Sequence, residues 1–334
     1  MEKKFKFINR PEDIPDESIE GYLLACSKDL KRIGNGNVLV SKNIKKNKVG
    51  VLIGGGMAAE PLFLGYVGRN MADCAVIGKI NAAPSPLLIL EGTRAVNQEK
   101  GVLYIYNNYS GDILCFDMAE ELAEEESIKV RSVRVWDDAG SAPIEDSENR
   151  RGIAGAIFVI KIAGSASNYV NDIDALHRIA QDTRDNVRTL IVTSGPGHYL
   201  DSGERMFDLP DGKIELGVGL HGDPGFLLCD TKPVDEIVDM MMEKLCEDLS
   251  CKTGDEIAVL INSMGATSIT ELFIVNRRVN QATANKGIRL HHSDIGYFYT
   301  SQDMTGFSIS VMKLNEERKK YFDLAPNSFS YKRS

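Results

Sequence analysis

A single histidine, His221, stands inside a glycine-rich loop at residues 217–225, where four glycines and a proline surround it. Glycine neighbours have no side chains that cover the imidazole, and they permit backbone angles that other residues rarely adopt. An imidazole with an unperturbed pKa of about 6.5 is mostly neutral near pH 7 and can act as a nucleophile. We therefore predict that His221 contacts a ligand; a histidine that is only packed and hydrogen-bonded is the alternative.

A carboxylate, Asp112, ends a second loop with the sequence Asn-Asn-Tyr-Ser-Gly-Asp at residues 107–112. The loop follows an apolar run typical of a strand and leads into a helical pattern. Ligands of open α/β sheets bind beyond the carboxyl ends of the strands, so Asp112 is placed to accept a hydrogen bond from a ligand hydroxyl. It is equally placed to cap the following helix, and both interpretations stay open.

A third loop, Gly-Gly-Gly-Met-Ala-Ala-Glu-Pro at residues 54–61, follows a predicted strand at 49–53. It fits G-x-G-x-x-A, the alanine form of a dinucleotide-binding fingerprint, in which small residues let backbone amides approach a pyrophosphate. The fingerprint also needs an acid about 20 residues further on, at the end of the second strand. Asp73 has this distance but precedes the strand. A nicotinamide-dependent oxidoreductase and a purely structural tight turn are the alternatives for this loop.

The histidines and cysteines show no pattern typical of metal ligands. His291 and His292 are adjacent, and side chains one residue apart on a strand point to opposite faces. The six cysteines contain no C-x-x-C pair and lie in segments that resemble strands and helices. We expect buried free thiols and no metal site.

The overall charge argues against direct binding to nucleic acid. Among 334 residues, 48 are Asp or Glu and 39 are Lys or Arg, a formal net charge of −9, so no broad positive field attracts a phosphodiester backbone. The first residues lack the apolar core of a signal peptide, and the longest apolar stretch, 153–164, falls short of the roughly 20 residues that span a bilayer. The sequence predicts a cytoplasmic protein that contacts no membrane.

The loops lie between alternating apolar runs and helical patterns. In the first half of the chain, five apolar runs are typical of strands: 49–53, 75–77, 103–107, 130–135 and 156–160. Helical patterns at 60–71 and 113–125 lie between them, and the acidic residues at 120–126 are typical of a solvated helix face. This alternation predicts α/β layers with a largely parallel sheet.

A helical connector at 166–183 precedes a second set of elements. The apolar stripe at 234–249 recurs at helical spacing, and its three methionines at 240–242 are expected to fill the core. Extended runs are predicted at 190–193, 215–219, 256–261, 269–275 and 307–312.

These patterns predict two α/β domains, each a largely parallel or mixed sheet flanked by helices. Residues 1–183 form the N-terminal domain, which carries the loops at 54–61 and 107–112. Residues 184–334 form the C-terminal domain, which carries the loop of His221. The sequence shows no internal repeat and no low-complexity linker between them.

Taken together and in this order, the three loops resemble those of the substrate-binding subunit of dihydroxyacetone kinase, the DhaK family, which read GGGSGHEP, KNYTGD and GxGIHGEPG. The similarity extends from about residue 30 to residue 315. Further segments that resemble family motifs are GYVG at 65–68 (GFVG), RGIAG at 151–155 (RGLAG), KIAG at 161–164, NSMGATS at 262–268 (NNLGGTS) and TSQDMTGFS at 300–308 (TSLDMAGFS). The chain is identified as a member of this family, with a DhaK-like fold.

The resemblance implies that His221 attacks the ketone carbon of dihydroxyacetone and forms a covalent hemiaminal. It also implies that Asp112 and the backbone amide at Gly56 hold the hydroxyl groups of the ligand, with Asn107 in the same site. This chemistry selects small hydroxylated ketones and aldehydes, because glycerol has no electrophilic carbon for the imidazole. The implied ligand is dihydroxyacetone, no cofactor is implied, and a homodimer is expected.

The family motifs are altered around the ligand. Ala59 replaces the histidine of GGGSGHEP, which in the family hydrogen-bonds the substrate and assists phosphoryl transfer, and Met57 and Ala58 replace its serine and glycine. Asn107 stands where the kinases usually have lysine, and Ala83 stands where they usually have serine before proline. Alanine neither donates nor accepts a proton, so a general acid/base contribution of about 10² to 10⁴ in rate is missing. We expect a protein that binds ligand and has no catalytic residues.

Binding without efficient turnover is what a sensor requires. The family includes a dihydroxyacetone-bound coactivator that pairs with a TetR-type transcription regulator and switches on the kinase operon. This sequence is similar to that coactivator, and its acidic charge suits a chain that contacts the regulator but not DNA. The alternative is an active kinase subunit that has compensated for the missing histidine and receives nucleotide from a separate subunit.

Overall fold

The computed structural model describes residues 5–34, 36–57 and 59–333. The chain divides into two compact units, which are described separately. The N unit consists of Phe7–Val135, Ala156–Arg184 and the chain from Arg318 onward, and the C unit consists of residues 5–6, Trp136–Gly155 and Asp185–Glu317. The chain therefore crosses between the units several times, whereas the division predicted from sequence has one crossing, between 183 and 184.

A six-stranded mixed sheet with the order β1-β2-β4-β3-β5-β6 forms the centre of the N unit. Its parallel pairs are β4/β3, β3/β5 and β5/β6, and its antiparallel pairs are β1/β2 and β2/β4. Buried apolar side chains from the sheet pack with α2 and α3 in one core. The elements are α1 (Ile14–Ala25), β1 (Leu30–Ile33), β2 (Val38–Ser41), β3 (Gly50–Met57), β4 (Cys74–Ile80), α2 (Pro86–Val96), β5 (Val102–Asn107), α3 (Ser110–Glu125), β6 (Val130–Val135), α4 (Ala156–Ala166) and α5 (Ile173–Asp185).

The C unit contains a second six-stranded sheet, with the order β11-β10-β12-β7-β8-β9. Only the β10/β11 pair of this sheet is parallel, so both units are α/β with mixed sheets, as the sequence predicts. Its core contains the predicted stripe of α6, with Met241 and Met242 fully buried. The elements are β7 (Val187–Gly195), β8 (Lys213–Leu216), β9 (Leu227–Asp230), α6 (Val234–Asp248), β10 (Glu256–Ser263), α7 (Ile269–Asn285), β11 (Arg289–Gly296) and β12 (Thr305–Leu314).

Two predicted strands are helices. The run at 156–160 lies in α4, in which every residue from 156 to 166 is buried, and a helix buried on all sides shows no polar face that would distinguish it from a strand. The run at 269–275 lies in α7. Ser268 caps this helix by accepting a hydrogen bond from the Glu271 N–H, and the Glu271 side chain accepts one from the Ser268 N–H. This capping box, Ser-x-x-Glu, was readable in the sequence.

The helix predicted at 60–71 is wrong. The chain forms turns there, with a single 3₁₀ turn at Leu64–Tyr66. Pro61 favours a turn, and the segment lies against the last residues of the chain so closely that a Cβ atom on Gly65 would overlap Oγ of Ser330. Contacts with a segment so distant in sequence are not visible in local patterns.

The segment between β6 and α4 joins the C unit because a buried carboxylate, Asp137, holds it there. The Asp137 carboxylate accepts hydrogen bonds from the N–H groups of Ile153 and Gly155, both at 2.7 Å. Its backbone carbonyl accepts the N–H of Thr189 on β7, also at 2.7 Å. The sequence predicts that residues 136–155 belong to the N-terminal domain, because they precede the predicted boundary at residue 184.

The last helix, α8 (Glu316–Phe322), starts the return of the chain to the N unit. Lys161, buried in α4, donates from Nζ to the backbone carbonyls of Tyr321, at 3.0 Å, and Leu324. The ammonium group thus replaces its water shell with carbonyls of the C-terminal segment, which explains why this segment packs with the N unit. Among the helices of the described residues, none has the length and apolar character needed to cross a membrane.

Candidate functional site

Asp112 lies in the first turn of α3, directly after the loop that follows β5. Its side chain is buried, with the residue 8% exposed, and Oδ1 has no hydrogen-bond partner among the described residues. Burial raises the pKa of this carboxyl from 3.8 to about 7. The N-cap residue of α3 is Tyr109, whose side chain makes no capping hydrogen bond. A buried acceptor without a partner is unusual, and both interpretations of Asp112, a ligand contact and a helix cap, stay predictions.

Asn107 and Ala83 lie around the same loop of the N unit. Asn107 ends β5 and is 2% exposed, and its backbone carbonyl accepts the Tyr109 N–H at 2.8 Å. Ala83 lies in the loop between β4 and α2. A Cβ atom on Gly111, in the first turn of α3, would lie 3.8 Å from the methyl group of Ala83. Both positions therefore lie next to the segment that joins β5 to α3 in this unit.

The triple glycine lies at the end of β3, and close packing explains its composition. A Cβ atom on Gly54 would lie 2.6 Å from a carbonyl of β4, and one on Gly55 would overlap the ring of Phe63. One on Gly56 would lie 3.0 Å from the backbone N of Ala82. Because no helix follows among the described residues up to 71 beyond a 3₁₀ turn, the structural interpretation is favoured over a dinucleotide-binding fingerprint.

Ala59, the position of the lost family histidine, is buried, with 9% of the residue exposed. Its carbonyl accepts the Leu62 N–H at 3.1 Å. Met57, the last residue of β3, is also buried, whereas Ala58 lies outside the described residues. A methyl group at position 59 can neither donate nor accept a proton.

His221 lies in the loop that follows β8 in the C unit. Gly217 and Gly222 have φ angles of +81° and +83°, a region that favours glycine, and the Gly219 N–H donates to the Asp223 carbonyl at 2.8 Å. Burial lowers the pKa of the imidazole below its usual 6.5; Asp223 opposes this effect, and Arg151 adds to it. The ring is therefore neutral near pH 7, which is the form that can attack a carbonyl carbon.

Arg151 is a further functional candidate, to which the sequence analysis assigned no role. Its guanidinium contacts both the loop of His221 and a buried carboxylate, Asp138. The neighbouring Arg150 forms a separate buried pair with Asp248, with N–O distances of 2.9 and 2.6 Å. The available signal was the pair of adjacent arginines directly before an apolar run. Arginines that are buried with such a run need carboxylate partners.

The structure places the predicted site residues in both units. Gly56, Ala59, Asn107 and Asp112 belong to the N unit, where Asn107 and Asp112 flank one loop, and His221 belongs to the C unit. The residues themselves pointed to His221, through its glycine neighbours, and to Asp112, which follows the end of a strand, whereas Gly56, Ala59 and Asn107 were predicted from the family resemblance. It did not find the charged contacts around the histidine loop.

The remaining histidines and cysteines are the other side chains of the sequence that commonly bind metals. Among the described residues, no three His, Cys, Asp or Glu side chains cluster as ligands, and His291 and His292 contact different carboxylates, Glu256 and Asp294. All six cysteines are free thiols. Only two of them are buried, so the expectation of buried thiols is wrong for the four partly exposed ones: Cys26, Cys115, Cys229 and Cys251.

Comparison with solved structures finds the same architecture. The dihydroxyacetone kinase of C. freundii superposes with a TM-score of 0.87 at 30% identity, over 99% of this chain and 60% of that chain. A protein described as the dihydroxyacetone kinase operon co-activator Dha-DhaQ superposes with a TM-score of 0.89 at 27% identity, over 96% of this chain and 99% of that chain. The fold is therefore that of both proteins.

Sequence comparison gives the family. The dihydroxyacetone-binding subunit DhaK of the PTS-dependent dihydroxyacetone kinase 2 of Listeria innocua is 37% identical over 320 residues, 95% of this chain and 96% of that protein. The corresponding subunit of Lactococcus lactis is 32% identical over 313 residues, 94% of each chain. The family model of the Dak1 domain matches residues 20–329. The chain belongs to the Dak1 domain family.

Proposed function

We propose that this protein is a dihydroxyacetone-binding sensor that acts, as a homodimer, as coactivator of a TetR-type transcription regulator of a dihydroxyacetone kinase operon. The observation that carries the binding function is the buried carboxylate of Asp112, whose Oδ1 has no hydrogen-bond partner within the described chain. A buried acceptor left unsatisfied costs about 1 to 3 kcal/mol. A ligand with hydroxyl groups removes this cost when it binds.

The capture step is the addition of the His221 imidazole to the ketone. A ring nitrogen donates its lone pair to the carbonyl carbon, the new C–N bond forms, and the π bond of the carbonyl breaks. The oxygen takes up a proton while the other ring nitrogen loses one, so the hemiaminal is neutral and nothing is released. The lowered pKa of His221 supports this step, because the protonated ring has no free lone pair.

Recognition of the hydroxyl groups is assigned by family resemblance to Asp112 and to the backbone amide at Gly56, with Asn107 beside them. An ionised carboxylate that accepts from a hydroxyl forms a stronger hydrogen bond than a neutral acceptor does. Burial raises the pKa of Asp112 to about 7, so the ionised form grows as pH rises through neutrality. We therefore expect the affinity for dihydroxyacetone to increase between pH 6 and pH 8.

The absence of a proton-transferring side chain at Ala59 supports a sensor over a kinase subunit. General acid/base groups contribute about 10² to 10⁴ in rate, so a family member that lacks one is a poor phosphoryl acceptor site even when ligand binds. The structural likeness to the co-activator Dha-DhaQ is consistent with this proposal.

The second candidate function is that of an active substrate-binding kinase subunit. It is favoured by the 37% identity to a DhaK subunit of a kinase in Listeria innocua. The two functions differ in turnover: a sensor mixed with a nucleotide-binding subunit of the family and the phosphoryl donor of that subunit converts dihydroxyacetone at background rate, whereas a kinase subunit produces phosphorylated product. Product formation at the rate of an authentic DhaK subunit, measured in parallel, would overturn the sensor proposal.

A further inference from the structure

We propose that Arg151 is the positioning residue for His221: it ties the first and last parts of the histidine loop to the buried carboxylate of Asp138. The inference rests on the proposed role of His221 as the nucleophile. All the residues involved belong to the C unit. The proposal concerns how the imidazole is held, and it assigns Arg151 no contact with the ligand.

The guanidinium of Arg151 makes three contacts that point in different directions. Nε donates to Oδ2 of Asp138 at 3.0 Å, Nη2 donates to the carbonyl of Gly217 at 3.0 Å, and Nη1 lies 3.2 Å from Oδ2 of Asp223. The side chain of Arg151 is 15% exposed and that of Asp138 is fully buried. A planar guanidinium with fixed donors can join three such groups, and an ammonium cannot reproduce this geometry.

The anchor itself is held rigidly. Oδ1 of Asp138 accepts the Gly140 N–H at 2.9 Å, and the Asp138 N–H donates to the Arg151 carbonyl at 3.1 Å. The Arg151 N–H donates to Oγ of Ser141 at 3.1 Å. Both partners of the ion pair are therefore fixed by backbone hydrogen bonds, so the pair can serve as a foundation for the loop.

The loop needs such a foundation because its glycines leave the backbone free to adopt many conformations. Gly219 shows that the sequence is adapted to the arginine contact. A Cβ atom on Gly219 would overlap both Nη1 of Arg151 and the carboxylate of Asp223. The glycine therefore makes room for this ion pair within two residues of His221, in addition to any freedom that it gives the backbone.

The charges on either side of the imidazole have opposite effects on its pKa. Asp223 raises the pKa of His221 and Arg151 lowers it, on top of the larger lowering by burial. Removal of the arginine charge removes one of the two effects that lower the pKa of His221, so this pKa is expected to rise. A change in the pKa of His221 therefore distinguishes a role of Arg151 in the histidine loop from a role in the stability of the C unit alone.

The test compares Arg151→Met and Arg151→Lys with the parent protein and with Arg277→Met. Arg277 on α7 forms an exposed ion pair with Asp235 on α6 of the same unit, with the two side chains 52% and 38% exposed, and serves as the matched control. The two measurements are the affinity for dihydroxyacetone, from ligand-induced stabilisation, and the pKa of His221 in the ligand-free protein, from NMR titration of the ring.

We expect Arg151→Met to weaken dihydroxyacetone binding about tenfold or more, the loss typical of one charge-assisted hydrogen bond, and to raise the pKa of His221. Arg151→Lys keeps the charge, so the pKa of His221 stays nearer the parent value while binding is still weakened. The control changes neither quantity. A folded Arg151→Met variant with parental affinity and a parental pKa for His221 overturns the proposal.

A second variant keeps the test decisive if Arg151→Met does not fold. The double variant Asp138→Asn with Arg151→Met removes the carboxylate that would otherwise be buried without its partner, and the same two results are expected from it. Failure of the proposed function is recognised separately: in that case the parent protein does not bind dihydroxyacetone, whereas the pKa of His221 still rises in the variants if Arg151 holds the loop.

Discussion

At the scale of single residues, binding and stability make opposite demands on Asp112. Its carboxylate is buried against the first turn of α3, with Oδ1 unpartnered in the described chain, and burial raises its pKa to about 7. The ligand-free protein therefore carries a group whose ionisation is unfavourable. Carboxyl groups with strongly perturbed pKa values cluster at functional sites.

The replacement Asp112→Asn tests this balance. Because the pKa of Asp112 is higher in the folded chain than in the unfolded chain, the folded state binds more protons between pH 4 and pH 7. The free energy of unfolding of the parent falls as pH rises through this window, by up to about 1.4 kcal/mol per pH unit from this group. We expect Asp112→Asn to be more stable than the parent at pH 7, by about 1 to 3 kcal/mol, with a smaller difference at pH 4.

The same variant is expected to bind dihydroxyacetone about tenfold more weakly, because it loses a charge-assisted hydrogen bond. Asp117→Asn is the control on α3: this carboxylate is 45% exposed and pairs with Arg134, so its loss changes stability by less than about 1 kcal/mol. Chemical denaturation at both pH values checks the prediction. Lower stability of Asp112→Asn at pH 7 would identify Asp112 as a helix cap.

Position 59 is expected to separate sensing from catalysis. The variant that combines Met57→Ser, Ala58→Gly and Ala59→His restores the family motif, and we expect its turnover with a nucleotide-binding subunit to exceed that of the parent by at least about tenfold, from the gain of a general acid/base group. Ala59→His alone restores little, because catalytic residues that act as a unit are not additive.

The assay measures phosphorylated product in the presence of the nucleotide-binding subunit and its phosphoryl donor, and dihydroxyacetone binding is measured for each variant as the control. A parent protein that already turns over like a kinase subunit contradicts the sensor proposal. An inactive triple variant that still binds ligand would place the catalytic defect outside this loop, most simply in docking of the nucleotide-binding subunit.

At the scale of elements, the sequence patterns were reliable where a strand ends in a loop. The predicted strands at 49–53, 103–107 and 130–135 overlap β3, β5 and β6, and four of the predicted site positions lie at the end of β3 or β5 or a few residues after it. The patterns were wrong for α4, which is buried on all sides, and for α7, whose capping box was overlooked. In an apolar run without polar residues, the spacing of polar and apolar side chains does not distinguish a helix from a strand.

Gly155 lies in the segment between β6 and α4, which Asp137 holds in the C unit. A Cβ atom on Gly155 would lie 2.5 Å from the carboxylate of Asp137 and 2.5 Å from a methyl of Val187. We expect Gly155→Ala to destabilise the protein by about 1 to 3 kcal/mol through overpacking. Gly21→Ala is the control, because nothing lies within 4 Å of that position in α1 and alanine favours a helix by about 0.5 to 1 kcal/mol. Denaturation midpoints that shift equally for both variants would contradict this account.

At the scale of the whole molecule, the division into units was the least predictable feature. The contacts that assign 136–155 and the last residues to their units join positions far apart in sequence, such as Lys161 with Tyr321 and Asp137 with Thr189. Periodicity and turn residues report only on neighbours in the chain. The family resemblance supplied the fold and the site, whereas the path of the chain between units required coordinates.

The proposed partner gives a prediction for the whole protein. We expect dihydroxyacetone to promote association with the TetR-type regulator of the kinase operon, and glycerol to have no effect because it has no carbonyl carbon. The net charge of −9 disfavours direct DNA contact, so the protein alone is expected not to shift operator DNA. Size-exclusion chromatography of the mixture, with and without each compound, checks this; association independent of dihydroxyacetone would exclude a sensor role.

The central claim is that this protein captures dihydroxyacetone covalently at His221. The most direct measurement is a ¹³C NMR spectrum of dihydroxyacetone labelled at the carbonyl carbon, recorded with the parent protein and with His221→Ala. We predict that the parent moves the labelled carbon from the carbonyl region to the region of tetrahedral carbon, and that His221→Ala does not. His292→Ala, a histidine with a 42% exposed side chain on β11, is the control and should behave like the parent. A sample without protein gives the tetrahedral signal of hydrated free dihydroxyacetone, which is subtracted. An unmoved carbonyl signal with the folded parent protein, or a protein-bound tetrahedral signal that persists in His221→Ala, would contradict the claim.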